Sequence, residues 1–115
     1  MGNIARGDLF WADLEPTIGS EQGGTRPVLI IQNDMFNIYG PTTIIAPLTS
    51  KQLSKKYLTS IFVSKKDLGM KKDSTILLNQ IRTIDKSRIR KRISTLPNEI
   101  MNRVDFAIAT SLGLN

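Results

Sequence analysis

The spacing of apolar residues changes once along this chain, and that change limits the folds open to it. Up to Leu96 apolar side chains come in short runs parted by Gly, Pro, Asn and Asp, the pattern of strands and turns. Beyond Pro97 the period lengthens: Ile100, Val104, Ala107, Ile108 and Leu112 recur at three- and four-residue spacing and form one stripe on a helix. Proline is tolerated at a helix start, and Gly113 sits where a C-cap belongs.

The strands can be placed in order. Asp8–Asp13 (D-L-F-W-A-D) reads as a strand carrying Phe10 and Trp11, and Glu15–Thr25 as a glycine-rich polar loop. Pro27–Gln32 is a continuous apolar run, expected to be buried on both faces. Asn33–Pro41 holds turn residues, and Thr42–Leu48 is a third strand in which Pro47 marks an edge or a bulge. Thr49–Lys56 is a polar, basic loop, Thr59–Val63 a fourth strand, and Lys65–Asp73 a turn or short helix around Gly69. Ser74–Ile84 is the strongest strand signal, Asp85–Arg88 turns, and Arg90–Leu96 makes a short last strand. With 115 residues, the expectation is one domain over 1–115, mainly β with a C-terminal helix, a small twisted barrel with the helix packed on it.

Two absences narrow the chemistry. The chain has no cysteine and no histidine. That excludes disulfides, thiolate nucleophiles, Cys or His metal sites, Ser-His pairs and ribonuclease chemistry run by imidazoles. Catalysis would rest on Arg, Lys, carboxylates, hydroxyls and backbone amides. The N-terminal residues carry no apolar signal core and no run is long enough to span a bilayer, so a cytoplasmic location without membrane association is expected. Sixteen Lys and Arg against ten Asp and Glu give a net charge of +6, which favours a polyanionic partner but equally fits a merely basic protein.

Four features could carry function. In Gly19–Pro27, adjacent Gly23 and Gly24 let the backbone approach a ligand or aim amides at phosphate, and Arg26 closes the loop at the mouth of a buried strand. A hairpin loop with Arg26 in a structural ion pair fits the same residues. Thr49-Ser50 could hydrogen-bond a phosphate oxygen, or simply terminate a strand. Asn79-Gln80-Ile81-Arg82 interrupts a very apolar strand; by alternation Asn79, Ile81 and Thr83 share one side, and Gln80, Arg82 and Ile84 the other. The run Lys86, Arg88, Arg90, Lys91, Arg92 could follow a phosphate backbone or be a solvated face. Taken singly, each is more often structural than functional.

Taken together and in order, the segments R-G-D at Arg6–Asp8, A-D-L at Ala12–Leu14, G-S-E-Q-G-G-T-R-P-V-L-I-I-Q-N-D at Gly19–Asp34, L-T at Leu48-Thr49, D-S at Asp73-Ser74 and Q-I-R-T-I-D at Gln80–Asp85 resemble the MazF/PemK family of toxin–antitoxin ribonucleases. The similarity runs from Arg6 to Leu114. It implies an SH3-like barrel of the MazF/PemK/CcdB type, a homodimer, and metal-free cleavage of single-stranded RNA, chiefly mRNA, by 2′-OH attack to give 2′,3′-cyclic phosphate and 5′-OH ends. No cofactor is implied. An antitoxin with an acidic C-terminal segment would occupy the RNA groove.

By the same resemblance Arg26 and Thr49 match the cleavage positions, while Ser20, Glu21, Gln22, Gly23, Gly24, Asn79, Gln80 and Arg82 would bind substrate. The loop around Ser50–Lys56 and the pairs Lys55-Lys56 and Lys71-Lys72 would extend the groove. Since RNA supplies its own nucleophile, what remains for the protein is alignment, charge stabilisation and proton transfer. A guanidinium is a poor base near neutrality, so electrostatic stabilisation of the phosphorane is the expected role of Arg26, with Thr49 holding a non-bridging oxygen. Asn79 departs from the pattern, standing where relatives often carry an acid; Glu21 is the nearest carboxylate that could substitute. Relatives sharing the S-E-Q-G-G block favour ACA-containing sites. Two rival readings are a gyrase-directed toxin on the same barrel and a non-catalytic RNA-binding repressor.

Overall fold

The computed structural model describes residues 3–53, 55 and 57–115. Lys56, assigned above to the rim of the groove, lies outside them. Among the described residues seven strands, β1 (Asp8–Asp13), β2 (Thr25–Ile30), β3 (Thr42–Thr49), β4 (Ser60–Val63), β5 (Ser74–Leu77), β6 (Arg82–Asp85) and β7 (Ile89–Thr95), pair antiparallel in the order β4-β5-β3-β2-β1-β7, with β6 also on β3. The α-helices among the described residues are α1 (Asp34–Ile38), α2 (Lys65–Leu68) and α3 (Asn98–Leu112). None of the described helices is long and apolar enough to cross a membrane.

Strand alternation divides the buried side chains between two cores. Phe10, Ala12, Val28, Ile30 and Ile45 join Ile84 and Ile89 on one face, filling the space enclosed as β6, β3, β2, β1 and β7 curl round. The intervening residues Leu9, Leu29, Ala46 and Leu48 face the other way. There they meet Ile61, Ile76 and the helical stripe Ile100, Met101, Val104 and Ala107. From Val28 to Ile31 the chain is therefore buried on both faces, as the unbroken apolar run requires. The helix stripe is as the spacing predicts except at its end: Ile108 packs only at the margin of the core, and Leu112 is exposed. Gly113 ends α3 at φ 72°, donating to the carbonyls of Ala109 and Thr110.

Two expectations need correction. Asn33–Pro41 is not all turn: Asn33 accepts from Met35 N and caps the short helix α1. Its apolar residues Met35, Phe36 and Ile38 stay exposed, so the helix has no core-facing stripe to betray it. Ser74–Ile84 is not one strand either. Leu78–Gln80 form a single 3-10 turn that separates β5 from β6. The registers show the extra length: Ile45 pairs with Arg82 and Leu48 with Ile76, so three steps on β3 face six on the other side. Pro47 falls inside this gap, where its missing N–H deprives neither β5 nor β6 of a partner. Leu78, fully buried against the α3 core, pins the turn and turns Asn79 outward.

Candidate active site

The β1–β2 loop is built on main-chain anchors. Leu14 N donates to Gly24 O at 3.0 Å and closes its base. Arg82 donates to Leu14 O at 3.1 Å; Arg88 donates to Asp13 O at 3.2 Å and also to Glu15 O. Glu21 receives Ile18 N at 2.5 Å within the loop tip. Gln22 N donates to Gln80 Oε1 at 2.9 Å, tying the loop to the 3-10 turn across the gap. Gly24 takes φ 74°, a left-handed conformation suited to glycine. Gly23 is needed for a different reason: a Cβ there would overlap the Glu15 carboxylate and the Thr17 hydroxyl.

Arg26 enters β2 half-buried, opposite Ala12. Its Nε donates to Gly23 O at 2.5 Å. The ion pairs among the described residues are Arg6–Asp105 and Arg92–Asp8, so the structural ion pair considered for Arg26 is not formed. One nitrogen is anchored and the two terminal nitrogens keep their donors. Arg26 borders a cleft of about 820 Å³ shared with Trp11, Lys71, Lys72, Lys91 and Arg92, and no Asp or Glu lines it among the described residues.

Thr49 ends β3, 6% exposed, and its Oγ1 accepts from Lys51 N at 3.2 Å, the strand-terminating bond foreseen as an alternative. Accepting that bond leaves the hydroxyl proton free to donate. Thr49 lines a second cleft of about 740 Å³ with Lys51, Lys55 and Arg103, and Ser50 and Ser74 border both clefts. β2 and β3 pair Ile30–Ile45, Leu29–Ala46 and Val28–Pro47; carried two residues further, that register sets Arg26 level with Thr49.

Ser20, Glu21, Gln22, Asn79, Gln80 and Arg82 line a third groove of about 420 Å³, floored by Pro47. The ten residues singled out in the sequence thus gather around the end of β3, with Gly23 and Gly24 beside Arg26. The predicted alternation does not hold through Asn79 and Gln80, because they belong to the turn and not to a strand. The basic run is also divided. Lys86, Arg88 and Arg90 are bound to main-chain carbonyls of Asn37, Asp13 and Ser87, while Lys91 and Arg92 reach the Arg26 cleft. Among the described residues no cluster of three acidic, His or Cys side chains is placed to hold a metal.

Two residues escaped the sequence reading. The sequence marks Trp11 only as a strand aromatic, yet it stands 38% exposed, paired with Pro27, and lines the cleft. Its being the one tryptophan of the chain, beside polar Asp13 on a hairpin with Arg26, was the available signal. Glu15, which bonds Gly24 N, gave no signal apart from its place in the loop.

A family model described as PemK-like, MazF-like toxin of type II toxin–antitoxin system matches residues 5–112. Endoribonuclease EndoA of Bacillus subtilis is 49% identical over 111 residues, covering 96% of each chain. A crystal structure of MazF from Deinococcus radiodurans superposes with a TM-score of 0.85 at 25% identity, covering 98% of this chain and 99% of that one. A MazE-MazF structure from the same organism gives 0.77 at 25% identity over the whole of both chains. The barrel expected from the resemblance is the observed fold, and the chain belongs to the PemK-like, MazF-like toxin family of type II toxin–antitoxin systems.

Proposed function

We propose that residues 1–115 act as one endoribonuclease domain that cuts single-stranded RNA at a short sequence motif without a metal ion. The observation that carries this reading is Arg26: a guanidinium anchored through Nε, paired with no carboxylate among the described residues, at the mouth of a basic cleft. Such a group suits a phosphate that gains negative charge in the transition state.

In the reaction O2′ of the RNA bonds to phosphorus and the P–O5′ bond breaks. The 2′ proton is lost and the 5′ oxygen gains one, leaving a 2′,3′-cyclic phosphate and a 5′-hydroxyl. Arg26 stabilises the phosphorane, and Thr49 donates to a non-bridging oxygen. Splayed bases lie in the groove of Ser20, Glu21, Gln22, Asn79, Gln80 and Arg82, where amide side chains read base edges. Gly23 and Gly24 allow the strand close to the backbone.

The protein acts as the toxin of a type II pair in the cytoplasm, where an antitoxin's acidic segment competes with RNA for the basic clefts. A homodimer is supported by Phe62, Phe106 and Leu112, which stand exposed on β4 and α3. The decisive experiment is cleavage of a long single-stranded RNA in EDTA, with product ends mapped, for the native chain and Arg26→Ala. Discrete cuts with cyclic-phosphate ends, absent in the mutant, are expected. Loss of cutting on chelation would overturn the metal-free mechanism, and a folded native chain that never cuts would turn attention to gyrase.

A further inference from the structure

Glu15 and Arg26 each grip one side of a single peptide group. Gly24 N donates to Glu15 Oε2 at 2.5 Å, and Gly23 O accepts from Arg26 Nε at 2.5 Å. That N–H and that C=O belong to the same amide, and in a trans peptide they point in opposite directions. A carboxylate at the N–H end and a guanidinium at the C=O end polarise the amide in the same sense, so each bond strengthens the other. We propose that Glu15 is a positioning residue for Arg26, acting through the Gly23–Gly24 peptide; this rests on the ribonuclease reading only for its effect on rate.

Three further features fit this arrangement. The carboxylate is itself held, since Oε1 receives Thr17 N at 3.3 Å and Thr17 Oγ1 at 3.4 Å. Its main chain is fixed by Arg88 at the Glu15 carbonyl. The space at Gly23 is filled by that carboxylate, so a side chain there would push it off the amide. The paired glycines therefore do more than lend flexibility: one makes room for the acid and the other supplies the left-handed turn.

The peptide spacer also settles a conflict. A carboxylate in direct contact would orient Arg26 but would occupy its terminal nitrogens and cancel its charge. Through the amide, Glu15 fixes the Nε end and leaves the fork free for phosphate.

The test compares Glu15→Ala, Glu15→Gln and Gly23→Ala with the native chain. The readouts are single-turnover cleavage, KM, melting temperature and the Arg26 Nε–Hε resonance. Glu15→Ala should lower kcat about tenfold with KM within twofold, a misplacement effect and not lost binding. Its Nε–Hε signal should shift and exchange faster, while the protein still melts cooperatively near the native temperature. Gly23→Ala, whose side chain would displace the same carboxylate, should reproduce the resonance change. Glu15→Gln keeps an oxygen that can accept from Gly24 N and should retain most of the rate. Native kcat in Glu15→Ala, or a Gln variant as impaired as the Ala variant while folded, would overturn the proposal. The resonance is read without RNA. An unmoved Nε–Hε in the folded Ala variant refutes the coupling by itself, and a shifted one in a chain that never cuts RNA leaves the coupling standing while the ribonuclease reading fails.

Discussion

Replacing Arg26 by lysine separates charge from shape. The guanidinium has five N–H donors; one is used on Gly23 O, and four remain on the terminal nitrogens for a forked contact with phosphate. An ammonium on a flexible stem can neutralise the phosphate or bond Gly23 O, but it cannot do both in one fixed geometry. Removing a preorganised donor from a developing oxyanion costs about 10²–10³ in rate, and misplacing a reacting contact by about 1 Å costs about 10². Arg26→Ala is therefore expected to lower kcat at least about 10³-fold, and Arg26→Lys about 10²-fold, near 2.7 kcal/mol of barrier at about 1.36 kcal/mol per tenfold. Stability should hardly change, because Arg26 gives up one hydrogen bond at a half-buried position and no ion pair among the described residues. The assay is single-turnover cleavage of a short RNA containing the mapped site, with melting curves run on the same samples. A lysine variant within tenfold of native would refute the fork. An alanine variant whose lost activity tracks a lost fold would refute the assignment of Arg26 to chemistry.

Asn37 offers a test of the fold away from the site. It is 3% exposed; its side chain bonds Gln32, Asp34 and the fully buried Thr43 hydroxyl. Asn37→Leu leaves that hydroxyl unpartnered and should cost about 3 kcal/mol, at about 1–3 kcal/mol for a buried unsatisfied group plus the lost bonds. Melting should fall by about 10–15 °C at about 4 °C per kcal/mol for a domain of this size, and a drop below about 3 °C would contradict the burial argument. For the cleft, Lys71→Ala combined with Lys72→Ala should weaken binding of a non-cleavable oligonucleotide and reduce the slope of log K against log salt by about 1.4, at about 0.7 per phosphate contact on a single strand. An unchanged slope would place the RNA elsewhere.

The sequence disclosed those parts of the fold that depend on burial. The apolar run of β2 and the stripe through Ile100, Val104 and Ala107 both translate directly into core contacts. α1 was hidden because its large apolar residues face solvent, where no period constrains them. The break at Leu78–Gln80 was hidden because Leu77, Leu78 and Ile81 are as apolar as a strand would be; the difference lies in register against β3, which a single strand's sequence does not encode. At the candidate site, residue types offered Arg26, Thr49, Gln80 and Arg82 only as open alternatives until the resemblance favoured them, and they could not show which donors were already used. Arg82 and Arg88 hold the end of β1 through their terminal nitrogens, and only the three-dimensional contacts separate them from Arg26, which bonds through Nε and borders the cleft.

The position of the candidate site follows from an interruption of the sheet. A strand paired on both sides consumes its backbone donors and acceptors and leaves no opening for a ligand. Along β3 the pairing with β6 stops at Ile45 and that with β5 starts at Leu48. The β2 ladder ends at Val28–Pro47, just short of Arg26 and Thr49. The sheet therefore loosens at one corner, and polar residues collect around it: Asn79 and Gln80 on the turn, Thr49 and Ser50 at the strand end, and Arg26 at the mouth of β2. Pro47 tolerates the gap because it has no donor to satisfy, and Leu78 prevents the turn from spreading by burying itself under α3. A change that restored a continuous ladder from β5 to β6, by deleting the three residues of the turn, would improve the sheet and abolish the groove. The polar interruption in the most strand-like segment of the chain is thus the sequence trace of the candidate site: it costs sheet pairing, and the loop tied to it through Gln22 and Gln80 is the loop that leads to Arg26.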